Sequence, residues 1–175
     1  MMDLEGKRAL ILVDEGYEDL EFWYPKLRLM EEGVEVTVAG KERKVYLSKH
    51  GYEAEVDVKI PRVNARKFDA LVIPGGVRCP DRLRRYREVL ELVKIMDRER
   101  KAIAAICHGP WVLISAGILR GRKAISYFSI RDDMINASVE YLDRPVVVDG
   151  NLITSRRPSD LPEFCKELIK LLRRP

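Results

Sequence analysis

A chain of 175 residues is sized for one domain, spanning 1–175, with a substantial hydrophobic core. Charged residues make up 34% of it, yet the net charge is only +4, which predicts an ion-pair-rich solvated surface rather than a nucleic-acid footprint; with no apolar run long enough to cross a membrane, a soluble, unprocessed chain is expected. Cys79, Cys107 and Cys165 are odd in number and far apart, so they form neither a disulfide framework nor a metal-ligand spacing; no metal or cofactor is expected, and a reducing cytoplasm is the expected setting.

The first element is the apolar run Arg8–Val13, fit for a strand buried on both faces. A polar turn follows, and then Leu20, Trp23, Tyr24, Leu27 and Met30 recur at three and four, predicting a helix over 20–32 that ends at Gly33 and is kinked by Pro25 unless that residue falls in the first turn. Residues 34–40 read as a second strand, completing a βαβ unit. Residues 44–49 and 52–58 flank His50-Gly51 as a hairpin excursion from the main sheet, with His50 a turn residue. A buried strand over 68–74 ends in Gly75-Gly76. Residues 81–100 are helical with a break near Tyr86, the arginines Arg82, Arg84, Arg85 and Arg87 forming a solvated face.

Ala102–Ile106 is a further strand, and Cys107-His108-Gly109-Pro110 turns it into a helix over 111–116. Beyond it the signals are short: a strand over 123–127, a helix over 130–137, a strand over 139–141, and Val146–Asp149 with Leu152–Ser155 as a hairpin about Gly150-Asn151. Asp160 and Glu163 form a capping pair for a last helix whose core face includes Cys165. The order predicts an α/β fold with a doubly wound parallel sheet sandwiched by helices, carrying a small β excursion.

The chemistry lies at strand ends. A strand running through one sharp turn into a helix is a nucleophile elbow, which holds the Cys107 side chain above the sheet and aims helix amides at it, favouring the thiolate. Parallel strands end on one edge, so Glu18 after the first, Gly75-Gly76 after the third and Cys107-His108 after the fourth converge on one pocket. Cys107 would attack an electrophilic carbon, the amides of Gly76 and His108 would hold the oxyanion, and Glu18, its pKa raised by the nearby thiolate, would move a proton. His108, adjacent to Cys107 in sequence, is expected to diverge from it and to need an orienting carboxylate from elsewhere, another subunit included.

No G-x-S-x-G, H-E-x-x-H, Walker or dinucleotide glycine motif occurs. The chain has no glutamine, which a papain-type oxyanion hole requires, and no histidine after His108, which a glutamine amidotransferase triad requires. The missing glutamine and only three asparagines (Asn64, Asn136 and Asn151) among many Lys, Arg and Glu residues also predict a thermophile's protein, an expectation that an ordinary mesophile melting temperature would refute.

The segments AICHGPWVLISAGILRGRKAISY, DDMINASVEYLDRPVVVDGNLITSR, PSDLPEF, YEDLEFWYPKLRLMEEGVEV and DALVIPGG together resemble the PfpI family of intracellular proteases, over nearly the whole chain. The resemblance implies a flavodoxin-like sandwich, a nucleophile at Cys107, a carboxyl partner at Glu18 and an oxyanion hole from Gly76 and His108. Hexameric members orient the histidine with a glutamate from the neighbouring subunit; the matching position is Asp81, a shorter side chain. Trp111 stands where some relatives carry glutamine, and with Gly75 and Tyr127 it is expected to line the substrate pocket. Cys79, in the loop with Asp81, is left as an interface residue or a second redox-active thiol.

Three readings follow. A related branch of the family comprises glutathione-independent glyoxalases and protein deglycases, and small reactive carbonyls such as methylglyoxal are the favoured substrates. An oligomer-dependent peptidase acting on peptides is the second reading. A redox sensor or stress chaperone is the third, in which peroxide would oxidise Cys107 without carbonyl turnover. A homo-oligomer, dimer or hexamer, is expected.

Overall fold

The computed structural model describes residues 4–174. In chain order the regular elements are β1 (Arg8–Val13), α1 (Asp19–Glu31), β2 (Glu35–Gly40), β3 (Val45–Leu47), β4 (Glu53–Glu55), β5 (Val58–Lys59), β6 (Ala70–Ile73), α2 (Arg78–Leu83), α3 (Arg87–Arg98), β7 (Ala102–Ile106), α4 (Pro110–Ala116), β8 (Lys123–Ala124), α5 (Arg131–Asn136), β9 (Glu140–Tyr141), β10 (Val146–Asp149), β11 (Leu152–Ser155) and α6 (Leu161–Leu172).

Seven strands form one sheet in the order β10-β11-β7-β6-β1-β2-β5, all parallel except the edge strand β10. The central strands β6 and β7 are buried along their whole length, as is β1 after Arg8, because helices cover both faces. α1 packs against α6, and α3 against α4. From β1 the chain first adds β2 on one side and then returns to place β6 on the other. The order of strand addition reverses there, which opens a crevice beyond the carboxyl ends of β1 and β6. Ile73 is level with Ala105, so the loops after β6 and β7 emerge side by side.

Several sequence expectations need correction. In α1 the recurring Leu20, Leu27 and Met30 face outward, being at least half exposed, while the buried face is Glu21, Phe22, Pro25 and Leu29. Pro25 lies in the second turn and leaves the Glu21 carbonyl without its helical N–H donor. The break near Tyr86 separates α2 from α3, but α2 starts at Arg78. The arginines of this region are not simply solvated: Arg82 Nε binds the buried Asp14 carboxylate at 2.6 Å, and Arg84, just past α2, binds Ser115 Oγ and lies over Trp111. Only Lys123–Ala124 of the 123–127 segment is strand, because Ile125 N–H turns to Thr154 Oγ1 and Tyr127 N–H to the Cys107 carbonyl. Asp160 does not cap α6 through its side chain, which Arg156 occupies.

The excursion is the β3–β4 hairpin, with Tyr46 and Ala54 buried beneath it. Its tip is stitched to the loop after β1 by a Tyr17–Ser48 bridge and by Tyr17 Oη donating to the Tyr52 carbonyl.

Candidate functional site

Cys107 lies between β7 and α4 with φ +62°, a left-handed conformation rare for a residue with a side chain. It is held there by its N–H to the Ser155 carbonyl (3.0 Å) and by its own carbonyl, which accepts from Tyr127 N–H (2.9 Å). The residue is 7% exposed, at the floor of a cleft of about 470 Å³. The His108 imidazole does not diverge. Its Nδ1 lies 3.1 Å from Cys107 Sγ, and its Nε2 lies 3.0 Å from Ser129 Oγ. The ring stacks on Tyr127 and meets the edge of Trp111. An Nε2–H donated to Ser129 leaves the Nδ1 lone pair facing the thiol, and burial lowers the imidazole pKa, keeping the ring neutral.

The carboxyl beside the sulfur belongs to Glu21, not Glu18. Glu18 is the N-cap of α1, and its Oε2 turns inward to accept Glu21 N–H at 2.9 Å. Side chains on a helix tilt toward its N-terminus, so Glu21, one turn in, reaches back to the sheet edge. It is fully buried, and its Oε2 accepts Gly75 N–H at 2.8 Å. Its Oε1 has no nitrogen or oxygen partner, and the carboxyl adjoins the Cys107 thiol. Burial, and then the charge of Glu18, push Glu21 up to about 8, so near neutral pH it is predominantly a carboxylic acid.

Burial also pushes the Cys107 thiol up, and an ionised Glu21 would push it further; the backbone N–H groups of Gly76 and His108, both directed at the sulfur, pull it down. The helix end alone therefore does not make a thiolate. A protonated Glu21 removes the like charge and can donate to the sulfur, so that one negative charge is accommodated on the pair. Close approach dictates the glycines. A side chain at Gly75 would overlap Glu21 Oε2 and Cys107 Cβ, and at Gly76, where φ is +80°, it would overlap the Gly16 carbonyl.

Cys107, His108, Gly76, Glu18 and Tyr127 share the cleft wall with Glu21, Ser48, Lys49 and Arg78. Gly75 lies behind the wall and acts through its N–H on Glu21. Trp111 does not line the cleft; its Nε1–H is held by Asp133 at 2.8 Å and its ring supports His108. Asp81 is an exposed residue of α2, and within this chain the partner of His108 Nε2 is Ser129 rather than a carboxylate. Cys79 is buried and accepts Asp14 N–H at 3.3 Å, which removes it from any surface or redox-accessible role in this chain. His50 sits at the hairpin tip, its Nδ1 2.8 Å from Asp19. Cys165 is core.

Sequence reasoning missed Glu21, Ser129 and Asp14. A glutamate on the buried side of a helix, next to Phe22 and one turn before Pro25, was the available signal for Glu21; nothing in the sequence marks Ser129. Among the described residues no group of three or more His, Cys, Asp or Glu side chains could hold a metal ion, and no helix is long and apolar enough to cross a membrane.

The DJ-1/PfpI family profile matches residues 7–171. The chain is 51% identical over 166 residues to a protein of Pyrococcus furiosus named Deglycase PfpI, covering 95% of this chain and 99% of that one. Among solved structures, a two-domain Anabaena variabilis protein with DJ-1/ThiJ/PfpI-like and ferritin-like domains superposes with a TM-score of 0.92 at 41% identity; 95% of this chain is covered, but the chain spans only 48% of that protein. DJ-1beta of Drosophila melanogaster superposes with a TM-score of 0.90 at 32% identity, covering 95% of this chain and 90% of that one. With a cysteine elbow, a buried glutamate and a double-glycine loop on one sheet edge, and with these matches along nearly its full length, the chain belongs to the DJ-1/PfpI family.

Proposed function

We propose that the protein is a cysteine-nucleophile enzyme acting on carbonyl carbon, of glutathione-independent glyoxalase and deglycase type, with methylglyoxal-like 2-oxoaldehydes or their amine adducts as substrates. The observation that carries this reading is the buried Glu21 carboxyl against Cys107, since its pKa of about 8 makes both its protonated and ionised forms accessible near neutral pH. The name Deglycase PfpI of the Pyrococcus furiosus relative supports it.

In this mechanism Cys107 Sγ bonds to the aldehyde carbon, its proton passing to His108 Nδ1, while the carbonyl π bond becomes an oxyanion held by the N–H groups of Gly76 and His108. The imidazolium then protonates that oxygen, giving a hemithioacetal. Glu21, in its ionised form, takes the proton from the former aldehyde carbon and returns it to the neighbouring carbon, while the hemithioacetal O–H proton passes by way of His108 to the ketone oxygen, forming the thioester of a 2-hydroxyacid. Water, deprotonated by His108, hydrolyses the thioester and restores the thiol. The sum is 2-oxoaldehyde plus water giving 2-hydroxyacid, with no oxidant. An amine-bound hemiaminal enters the same sequence when sulfur displaces the amine. Glutathione-free conversion of methylglyoxal to lactate by the wild type, abolished in Cys107→Ala, is the expected result; no lactate above buffer from the wild type would overturn the reading.

A second reading, cysteine peptidase, draws support from the 3.1 Å Cys107–His108 contact, which suits acyl transfer from a peptide. Its orienting group here is a neutral serine hydroxyl rather than a carboxylate. Peptide cleavage lost in Cys107→Ala would establish it, and light scattering in the same samples tests the proposed homo-oligomer against a monomer of 20.2 kDa.

A further inference from the structure

The mechanism leaves the lysine and the arginine of the cleft without a task, Lys49 and Arg78, which line it together with Cys107. Neither is within salt-bridge distance of a carboxylate among the described residues. The acids of the cleft are already engaged, Glu15 with Arg43 at 3.0 Å, Glu18 as the α1 cap and Glu21 with Gly75 N–H beside the thiol. Two exposed cations without carboxylate partners, at the entrance to a cleft with a nucleophile at its floor, are placed to receive an anion.

Their presentation is built. Lys49 N–H donates to the Tyr17 carbonyl (2.8 Å), and Ser48 N–H to the Tyr52 carbonyl (2.8 Å). Ser48 Oγ donates to Asp19 Oδ1 (2.6 Å) and accepts from the N–H groups of Tyr52 (2.8 Å) and His50 (3.2 Å). The backbone on both sides of Lys49 is thus fixed, and the hairpin excursion serves to hold this residue over the cleft. The ammonium is near enough to Glu21 for its charge to favour the carboxylate. On the facing wall the Arg78 side chain lies over Gly16, with only 3.0 Å between Arg78 Cβ and the place where a Gly16 Cβ would stand. A side chain at Gly16 would displace it.

We infer that Lys49 and Arg78 form an anion-binding subsite at the mouth of the cysteine cleft, so that the preferred carbonyl substrate carries a carboxylate or a phosphate group. The substrate half of this statement rests on the carbonyl chemistry proposed above; the subsite itself does not. A three-carbon neutral carbonyl leaves both cations unused, whereas a 2-oxoaldehyde with an anionic tail would place its aldehyde at Cys107 and its tail between the two cations.

The first test needs no turnover. Alkylation of Cys107 by iodoacetate, an anion, and by iodoacetamide, its neutral analogue, is timed by peptide mass spectrometry. Both reagents need the same thiolate, so any change in thiol pKa cancels in the ratio of their rates. That ratio should fall about tenfold in Lys49→Ala, further in Lys49→Ala with Arg78→Ala, and recover in Lys49→Arg. An unchanged ratio in the double variant overturns the subsite. The second test compares kcat/KM for methylglyoxal, 4,5-dioxovalerate (carboxylate) and hydroxypyruvaldehyde phosphate. The wild type should prefer one or both anionic compounds, the better one naming the group, and the preference should be lost in the double variant. Equal use of all three overturns the substrate half. If none is turned over, the carbonyl reading fails while the alkylation ratio still decides the subsite.

Discussion

Replacing Glu21 by glutamine tests the central feature of the site directly. Glutamine has the same shape and keeps an oxygen for Gly75 N–H, but it does not titrate. In the fold Glu21 is raised from 4.5 to about 8, so between those values the native state holds a proton that the unfolded state has released. Stability is therefore fully present below about pH 4.5 and is lost as pH rises through about 8. At about 1.4 kcal/mol per pH unit the interval is worth about 5 kcal/mol. The carboxyl is fully buried, so solvent screening takes little from this figure. Guanidinium unfolding of wild type and Glu21→Gln, followed from about pH 5 to about pH 9 at one protein concentration, measures it. The two proteins should be within about 1 kcal/mol of each other at the acid end. The variant should become the more stable by about 3–5 kcal/mol at the alkaline end. Parallel pH profiles would mean that Glu21 is ionised throughout, and the access to both protonation states on which the proposed function rests would fall.

Four further outcomes follow from the same geometry. Glu18→Gln keeps the cap but removes the charge that helps hold the Glu21 proton, so the fall in stability with rising pH should end at lower pH and be smaller in total; an unmoved end point would show that burial acts alone. Ser129→Ala leaves His108 Nε2 without its partner and should lower kcat/KM for any step using His108 by about tenfold, with the unfolding midpoint unchanged; wild-type turnover would remove Ser129 as the orienting group. Gly76→Ala meets both an unfavourable φ and the Gly16 carbonyl, and should cost more than about 2 kcal/mol, read by chemical unfolding; a cost below that would mean the loop shifts freely. Asp14→Ala strips a buried carboxylate from the partly exposed Arg82 and Tyr86 and should cost about 2–3 kcal/mol; a loss under about 1 kcal/mol would show that the pair is worth no more than a surface bridge.

How much was legible in the sequence differs between scaffold and site. Runs such as RALILV and AIAAI are apolar without alternation, and only strands covered on both faces have that pattern, so the doubly wound sheet and the convergence of its loops could be read directly. The elbow was legible because a strand run, a cysteine and a helix are contiguous. What the sequence concealed was direction. In α1 apolar residues occur on both sides, so the period marks a helix without saying which face is buried, and a shift of one position exchanged Glu21 for its surroundings. The choice of Glu18 followed, because a carboxylate just past a strand end is visible, whereas one reaching back from the first helical turn is not. Ser129 comes from a segment with no pattern of its own, and the return of the His108 ring onto the sulfur is a rotamer, which no spacing encodes. Arg82 and Arg84 looked solvated for a similar reason: a run of arginines does not show that one of them meets a buried acid.

The hydrogen bonds around the cleft tie its reactivity to the stability of the loops that carry it. Asp14, at the end of β1, is buried and accepts Glu15 N–H, Arg82 Nε and Tyr86 Oη, which fastens the loop bearing Glu18 and Glu21 to the segment that leaves Gly76. Glu18 N–H donates to the Gly75 carbonyl and Gly75 N–H to Glu21, so the same two loops are stitched again beside the sulfur. Each contact is individually modest, but all of them depend on one relative placement of β1 and β6. A sub-ångström slip of either loop would open the Glu21–Gly75 bond, admit water to the carboxyl and let it ionise. The negative charge would then sit on Glu21 rather than on Cys107 or the developing oxyanion. The Asp14–Arg82 ion pair is therefore a positioning device: its loss should show in Cys107 reactivity under conditions where the protein remains folded, because the proton on Glu21 is sensitive to displacements too small to unfold the chain.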